Sequence, residues 1–471
     1  MKILIIEDDS DFVTALVEIV SEIQVDKSLK IVKSRDSALK TISEDFFDLI
    51  LLDLKIPTSD ESLDEEPAHG HAVFSKIRLQ VPGTPIIVLT GSSGEEYIPT
   101  LLAHSERSEI WGGSPLQLVS FHRKHLLDSF PDVLKKYVSE FNGLASVELN
   151  RNGTNLLVQE DRLIRIFCKK FDGVRCSITK IGGGLSGSKV FRLILTNSGG
   201  ALIHDVICKI SDLATIQDEG KRYNLFIARL NPDATPRKLS VLEFGGGDMC
   251  GVFYGLAEGF NRTAFDMINC ADPSPNTFLA SLKGILAKWT SNVEAPTKIL
   301  EIRRAFISDT KFSDVRDLAS IPWIDKFENY TIQSKQACSH GDLHGLNVLV
   351  SNEGIPILID YGDVANGPAS VDPITLELSL FFHPDGPLKN SIWPTGESAE
   401  MWGELDSYLI GCPCPEFVRS CRNWAAEVAV GDREVAAVAY AYLVRQLKYD
   451  NVDIDRVNSL LSGVKKFYDR T

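Results

Sequence analysis

Three apolar runs near the N-terminus, MKILII, FDLILLDL and PIIVLT, constrain this chain most. Each is nearly continuous rather than alternating, so each predicts a strand buried on both faces. The intervening SDFVTALVEIVSEI and GHAVFSKIRL carry helical spacing. Strands buried on both sides and separated by helices specify a parallel sheet covered by helices. Such sheets gather their functional groups at the C-terminal ends of the strands. Those ends carry Glu7, Asp8 and Asp9, then Asp53, then Thr90.

A single polar residue after a buried strand is commonplace and is read first as a solvated loop acid. Taken together, IIEDD, LILLDLKIP and IIVLTG resemble a response-regulator receiver domain over residues 1–128, a flavodoxin-like α/β fold with a five-stranded parallel sheet. The resemblance implies that Glu7, Asp8 and Asp53 bind Mg²⁺, that Asp53 accepts a phosphoryl group, and that Thr90 is the switch hydroxyl. It also implies a histidine kinase or another signalling protein as partner. Receivers carry a lysine before a proline after the fifth strand. Here EIWGGSPLQL puts Ser114 before Pro115, with Trp111 in the place of the switch aromatic. The expectation is therefore a degenerate receiver lacking a charge-assisted contact worth about 1.5–3 kcal/mol. The acidic insertion TSDESLDEEPAH, residues 58–69, is expected to be a mobile, solvated loop.

A chain of 471 residues exceeds what one core supports. Residues 129–154, an amphipathic SFPDVLKKYVSEF followed by the polar ELNRNGTN, are the expected linker, with a second domain over 155–471. The net charge of -15 argues against nucleic-acid and anionic-membrane partners, and no run reaches membrane-spanning length. The nine cysteines form no CxxC pair, Cys412 and Cys414 being a weak metal signal, and no leader-like segment opens the chain. A cytoplasmic location is expected.

The second half places polar groups at fixed intervals. CSITKIGGGLSGSKVFRLIL reads as strand, glycine-rich turn, strand, with Gly182, Gly184 and Gly187 in a G-x-G-x-x-G pattern. A dinucleotide or Walker loop must open a helix, whereas VFRLIL continues as a strand, so the alternatives are a permissive hairpin or a lid over nucleotide phosphates. HDVICKIS follows as a strand whose Lys209 can reach phosphates, and LATIQDEGKRYNLFIARL is a helix offering Glu219 as its ion-pair partner. A hinge-like turn lies near Leu256–Gly259. SHGDLHGLNVLV then sets Asp342 five residues before Asn347, and GIPILIDYGD ends a strand on Asp360. Asp342 can orient an acceptor hydroxyl and take its proton, while Asn347 and Asp360 offer the hard oxygens that suit Mg²⁺. A self-bonded Asx turn explains the loop alone but not the ordered set. His340 and His344 have no metal-like partners and are assigned orienting or structural roles.

GGLSGSKVFRL, HGDLHGLNVL and ILIDYGD together resemble the aminoglycoside phosphotransferase and choline kinase-like branch of the protein kinase superfamily, over 155–471. The resemblance implies an α+β bilobal domain, with lobes near 155–258 and 259–471, that uses ATP and Mg²⁺ to phosphorylate a small-molecule or protein hydroxyl. In that reading Asp342 is the base, Asn347 and Asp360 hold metal, and Lys209 and Glu219 orient phosphates. Asp363 completes the branch's acidic motif and Asp372 braces the catalytic loop. Gly341 stands where protein kinases carry the catalytic-loop arginine. The receiver is expected to control access to this domain, so that removing 1–128 changes activity. A nucleotide-binding pseudokinase or signalling module is the alternative, and a DNA-binding regulator is disfavoured because no basic recognition helix is present.

Overall fold

The computed structural model describes the chain except residues 24–25, 92–96, 98, 100, 102, 182–187, 257–258, 261, 271–274 and 320. Two compact units emerge, Met1–Gln217 with Arg237–Leu256, and Asp218–Pro236 with Ala257–Thr471.

In the first unit the apolar runs form β1 (Lys2–Ile6), β2 (Ser28–Val32), β3 (Leu49–Asp53), β4 (Ile86–Thr90) and β5 (Val119–Arg123). They pair in parallel in the order β2-β1-β3-β4-β5, and every residue of β3 and β4 is buried. Helix α1 (Ser10–Glu22) starts at Asp9, whose side chain accepts from the Asp11 and Phe12 amides. Helix α2 (Arg35–Glu44) starts at Ser34 in a reciprocal cap with Ser37, a contact of about 1 kcal/mol. Helix α3 spans Pro67–Gln80.

Two expectations are corrected here. The 58–69 insertion is tied down rather than loose: the Thr58 amide and hydroxyl donate to Asp64 at 3.0 and 2.5 Å, Ser34 Oγ donates to Asp60 at 2.6 Å, and Ile56 bridges Glu66. Nor is 129–154 a linker. It forms helix α4 (Phe130–Asn142), which buries Phe130, Leu134, Tyr137, Val138 and Phe141, and strand β6 (Glu148–Asn150).

Strand β6 is the edge of a second sheet and pairs in parallel with β7 (Arg175–Lys180); the sheet continues through β8 (Lys189–Thr196), β9 (Leu202–Asp212), β11 (Met249–Leu256) and β10 (Arg237–Leu242), all antiparallel. Helix α5 (Val158–Lys170) packs between the sheets. One hydrophobic core runs from Ile3, Ile5, Leu49, Leu51, Ile87 and Leu89 of the parallel sheet, through Trp111, α4 and α5, to Phe191, Leu193 and Phe253. Phe167 of α5 stacks on Phe253 with ring centroids 4.2 Å apart. At the rim, Arg162 grips Asp48 side-on (2.8 and 3.3 Å), and Gly83 exchanges two backbone hydrogen bonds with the 245–247 turn. Gly245 needs no side chain there: its φ is +84°, and a Cβ would lie 2.5 Å from the Ile110 carbonyl oxygen.

The second unit is helix-rich with short antiparallel strands. Strand β12 (Thr331–Ser339) feeds the loop to a hairpin of β13 (Val348–Val350) and β14 (Pro356–Leu358). Helix α6 (Val371–Phe382) is buried at all twelve positions, and helix α7 (Asp432–Gln446) is buried at twelve. The buried Arg303–Glu328 and Arg422–Glu377 pairs tie helices together. The fold class read from the sequence, a receiver-type parallel sheet followed by a mixed-sheet and helical region, therefore holds. Among the described residues no helix is long and apolar enough to cross a membrane.

Candidate functional site

The first cluster lies at the C-terminal edge of the parallel sheet. Glu7 and Asp8 follow β1 and Asp53 ends β3, and their carboxylates lie within 4.8 Å of one another. Glu7 and Asp53 are buried, and so is Thr90, which ends β4 one residue beyond Leu89, the partner of Asp53. Burial pushes the Glu7 carboxyl up to about 7, with Asp53 adding to the rise and Lys124 opposing it. Burial likewise raises Asp53 and Asp8. Three crowded carboxylates held above their ordinary range are a donor set for a hard divalent cation, which would relieve the repulsion.

The ammonium that the sequence reading declared missing is present. Lys124 follows β5 directly and contacts Glu7 Oε2 at 2.7 Å and Asp53 Oδ2 at 2.8 Å. Burial alone would lower Lys124, but the Asp53 and Glu7 carboxylates raise it. Ser114 and Pro115 belong to a hairpin pairing Arg107–Ser108 with Leu116–Gln117, ahead of the fifth strand. Trp111, expected as the switch aromatic, is a core residue set edge-on to Phe141. The misreading has a local cause: β5, at the edge of the sheet, reads VSFHR, without the apolar run that marks β1, β3 and β4, and no proline directly follows Lys124.

The second cluster lies in the second unit. The β12–β13 loop turns at Gly341, whose φ is +81° and where a Cβ would meet the Asp363 carbonyl oxygen at 2.4 Å. An arginine there is sterically excluded. Asp372, in the first turn of α6, accepts from the amides of His340 (2.9 Å) and Gly341 (3.1 Å) and so fixes the loop. His340 Nε2 bonds the Ile359 carbonyl. The Asn347 side-chain nitrogen donates to the Asp342 carbonyl at 2.9 Å, leaving its amide oxygen without a donor among the described residues. Its backbone oxygen accepts from Ile359, which sets Asp360 one residue beyond in the left-handed region, φ +63°. One hairpin thus brings Asp342, Asn347 and Asp360 to the same end.

Asp342 has a partner that the sequence reading missed. Arg445, at the end of α7, donates through Nη2 to Asp342 Oδ1 at 3.0 Å, while His344 Nε2 lies 3.6 Å from Oδ2. Burial would raise the Asp342 carboxyl, but Arg445, His344 and His340 hold it below the usual range. Burial presses His344 down to about 4, so at neutral pH its ring is uncharged, packed 4.4 Å from that of His383. A sequence signal for Arg445 existed: a cation inside the buried run AYAYLVRQ requires a counter-charge.

Lys209 lies buried on β9 in the first unit, and Glu219, also buried, belongs to the second. Gly182, Gly184 and Gly187, and the central residues of the expected hinge, fall outside the described residues.

A family model, the response regulator receiver domain, matches residues 3–106. No curated protein matches the sequence. Among solved structures, the receiver domain of a sensor histidine kinase from Pseudomonas aeruginosa, with a magnesium ion in its active-site cleft, is similar at 18% identity and a TM-score of 0.22, over 29% of this chain and 97% of that one. Aminoglycoside phosphotransferase APH(4)-Ia, as a thermostable mutant, is similar at 14% identity and a TM-score of 0.35, over 61% of this chain and 94% of that one. Spectinomycin phosphotransferase APH(9)-Ia, bound to ADP and spectinomycin, is similar at 12% identity and a TM-score of 0.34, over 62% and 88%.

Proposed function

We propose that this chain is an ATP-dependent phosphotransferase, transferring the γ-phosphoryl group to a hydroxyl acceptor, joined to a receiver whose Asp53 is a phosphoacceptor. The observation that supports it most is the loop held by Asp372, in which Asp342, kept below the usual carboxylate range, takes the Asn347 amide on its carbonyl while the hairpin that follows leads to Asp360. Asn347 Oδ1 and Asp360 suit Mg²⁺, which supplies positive charge against the phosphate oxygens when bound. Asp342 orients the acceptor. Its hydroxyl proton passes to Asp342 as the acceptor oxygen replaces ADP on the γ-phosphorus, the bridging electron pair leaving with ADP. Gly182, Gly184, Gly187, Lys209 and Glu219 are assigned to the nucleotide's phosphates by their order in the sequence.

In the receiver, Glu7, Asp8 and Asp53 suit a second Mg²⁺, Lys124 stands ready to pair with an added phosphoryl group, and Thr90 is the switch hydroxyl. The test is Mg·ATP titration and turnover against a library of hydroxyl acceptors, run beside Asp342→Asn and Asp360→Ala. Turnover lost in both variants supports the reading. Nucleotide binding without turnover under every condition would replace it with a nucleotide-binding signalling module.

A further inference from the structure

Resting on the phosphotransferase reading, the chemical class of the acceptor follows from the partner of Asp342. Arg445 sits at the end of a helix buried at twelve positions, and only 15% of its side chain is exposed. A guanidinium carries five N–H donors in a planar fork. One of them reaches Asp342 Oδ1 at 3.0 Å, and no other acceptor among the described residues takes a second. A single bond to one carboxylate oxygen uses one edge of the guanidinium, and its other nitrogens are not sealed from water, so they stay open to a ligand. The fork's remaining edge matches two oxygens of a carboxylate or phosphate group.

Asp342 itself is only half used. Oδ1 belongs to Arg445, whereas Oδ2 has His344 Nε2 at 3.6 Å, beyond hydrogen-bond range. Oδ2 is therefore left for an acceptor hydroxyl while Arg445 still holds Oδ1. An ammonium placed in the fork itself, rather than against the Asp342 and Asp363 carboxylates that face Arg445, would be repelled by the guanidinium. We propose that the acceptor is a small anionic alcohol, with its hydroxyl on Asp342 Oδ2 and its carboxylate or phosphate, a few bonds away, in the fork of Arg445. Arg445 is then a specificity-determining residue for the proposed transfer.

The experiment uses the full chain with Mg·ATP and three sets of acceptors: hydroxy-carboxylates and glycerol phosphate, uncharged polyols, and cationic amino alcohols such as choline and kanamycin. Turnover is expected with the anionic set, its carboxylate and phosphate arms telling which oxyanion is read. Arg445→Lys keeps the charge and loses the fork, so the KM for the anionic acceptor should rise about 10- to 100-fold with kcat changed far less. Arg445→Met should abolish the preference for anionic over uncharged acceptors. Equal or better turnover of uncharged or cationic acceptors overturns the proposal and leaves the phosphotransferase reading standing. So does an Arg445→Lys enzyme whose kcat falls equally for all acceptors with KM unchanged, the signature of a residue that merely positions Asp342. A separate titration showing no Mg·ATP binding by the unaltered protein overturns both.

Discussion

Gly341 shapes the loop that carries Asp342. With φ at +81° and the Asp363 carbonyl 2.4 Å from where a Cβ would stand, the turn between His340 and Asp342 exists only because the residue has no side chain. Gly341→Ala should destabilise the second unit by about 1–3 kcal/mol through the left-handed backbone alone, and further through displacement of Asp363. Thermal unfolding measures it, and an unshifted midpoint would contradict the geometry. Asp342 lends itself to a kinetic prediction. Its carboxyl lies below the ordinary range because Arg445, then His344 and His340, outweigh its burial, so it is ionised throughout the neutral range. Activity should therefore show no acid limb from Asp342 between pH 5 and 8. Asp342→Asn should lower turnover by about 100- to 10,000-fold with Mg·ATP affinity little changed. Asp342, Asn347 and Asp360 were legible in the sequence because one short loop and one hairpin deliver them. Arg445 was legible only as a cation in a buried run that needs a counter-charge; that the counter-charge is Asp342, 103 positions earlier and met through helix packing, was not.

At the level of elements, the receiver strands were readable wherever the run was apolar, and the reading failed at β5, where VSFHR alternates polar with apolar. That single misplacement hid Lys124 and made the receiver look degenerate. With Lys124 between Glu7 and Asp53, the cluster is a complete set of opposed charges whose balance depends on pH. The folded Glu7 carboxyl, raised mainly by burial to about 7, holds its proton where the unfolded chain has lost it. Stability therefore falls as pH rises from the ordinary carboxylate range through 7. A divalent cation must displace that proton, so Mg²⁺ affinity at this site should rise with pH and level off above about 7. Calorimetric titration of Mg²⁺ at pH 6 and pH 8 tests this, and Asp53→Asn isolates the receiver contribution. Equal affinity at both values would mean that Glu7 is not a ligand.

Across the first unit, the helical pattern of SFPDVLKKYVSEF was visible in the sequence, but nothing in it named the surface against which the helix packs. That surface turns out to be shared. Residues 1–128 contribute Ile3, Ile5, Leu49, Leu51, Ile87 and Leu89 to the core that also holds Phe167, Phe191 and Phe253, and they supply Asp48 to Arg162. Each fully buried side chain of this size contributes about 1.5–3 kcal/mol, so losing six rivals the whole stability of a domain, about 5–15 kcal/mol. Deleting 1–128 should leave the second sheet unable to fold, and activity lost by truncation would then report a broken core rather than lost regulation. The informative variants are point changes at the sheet edge, Asp53→Asn and Lys124→Met, which leave that core untouched. The shared core makes its own prediction: the parallel sheet and the second sheet should unfold together. Hydrogen exchange under increasing denaturant should release the amides of β3 and of β8 and β9 at one concentration. Earlier release of β3 alone would show that the receiver is a separable module, and truncation would again become a test of control.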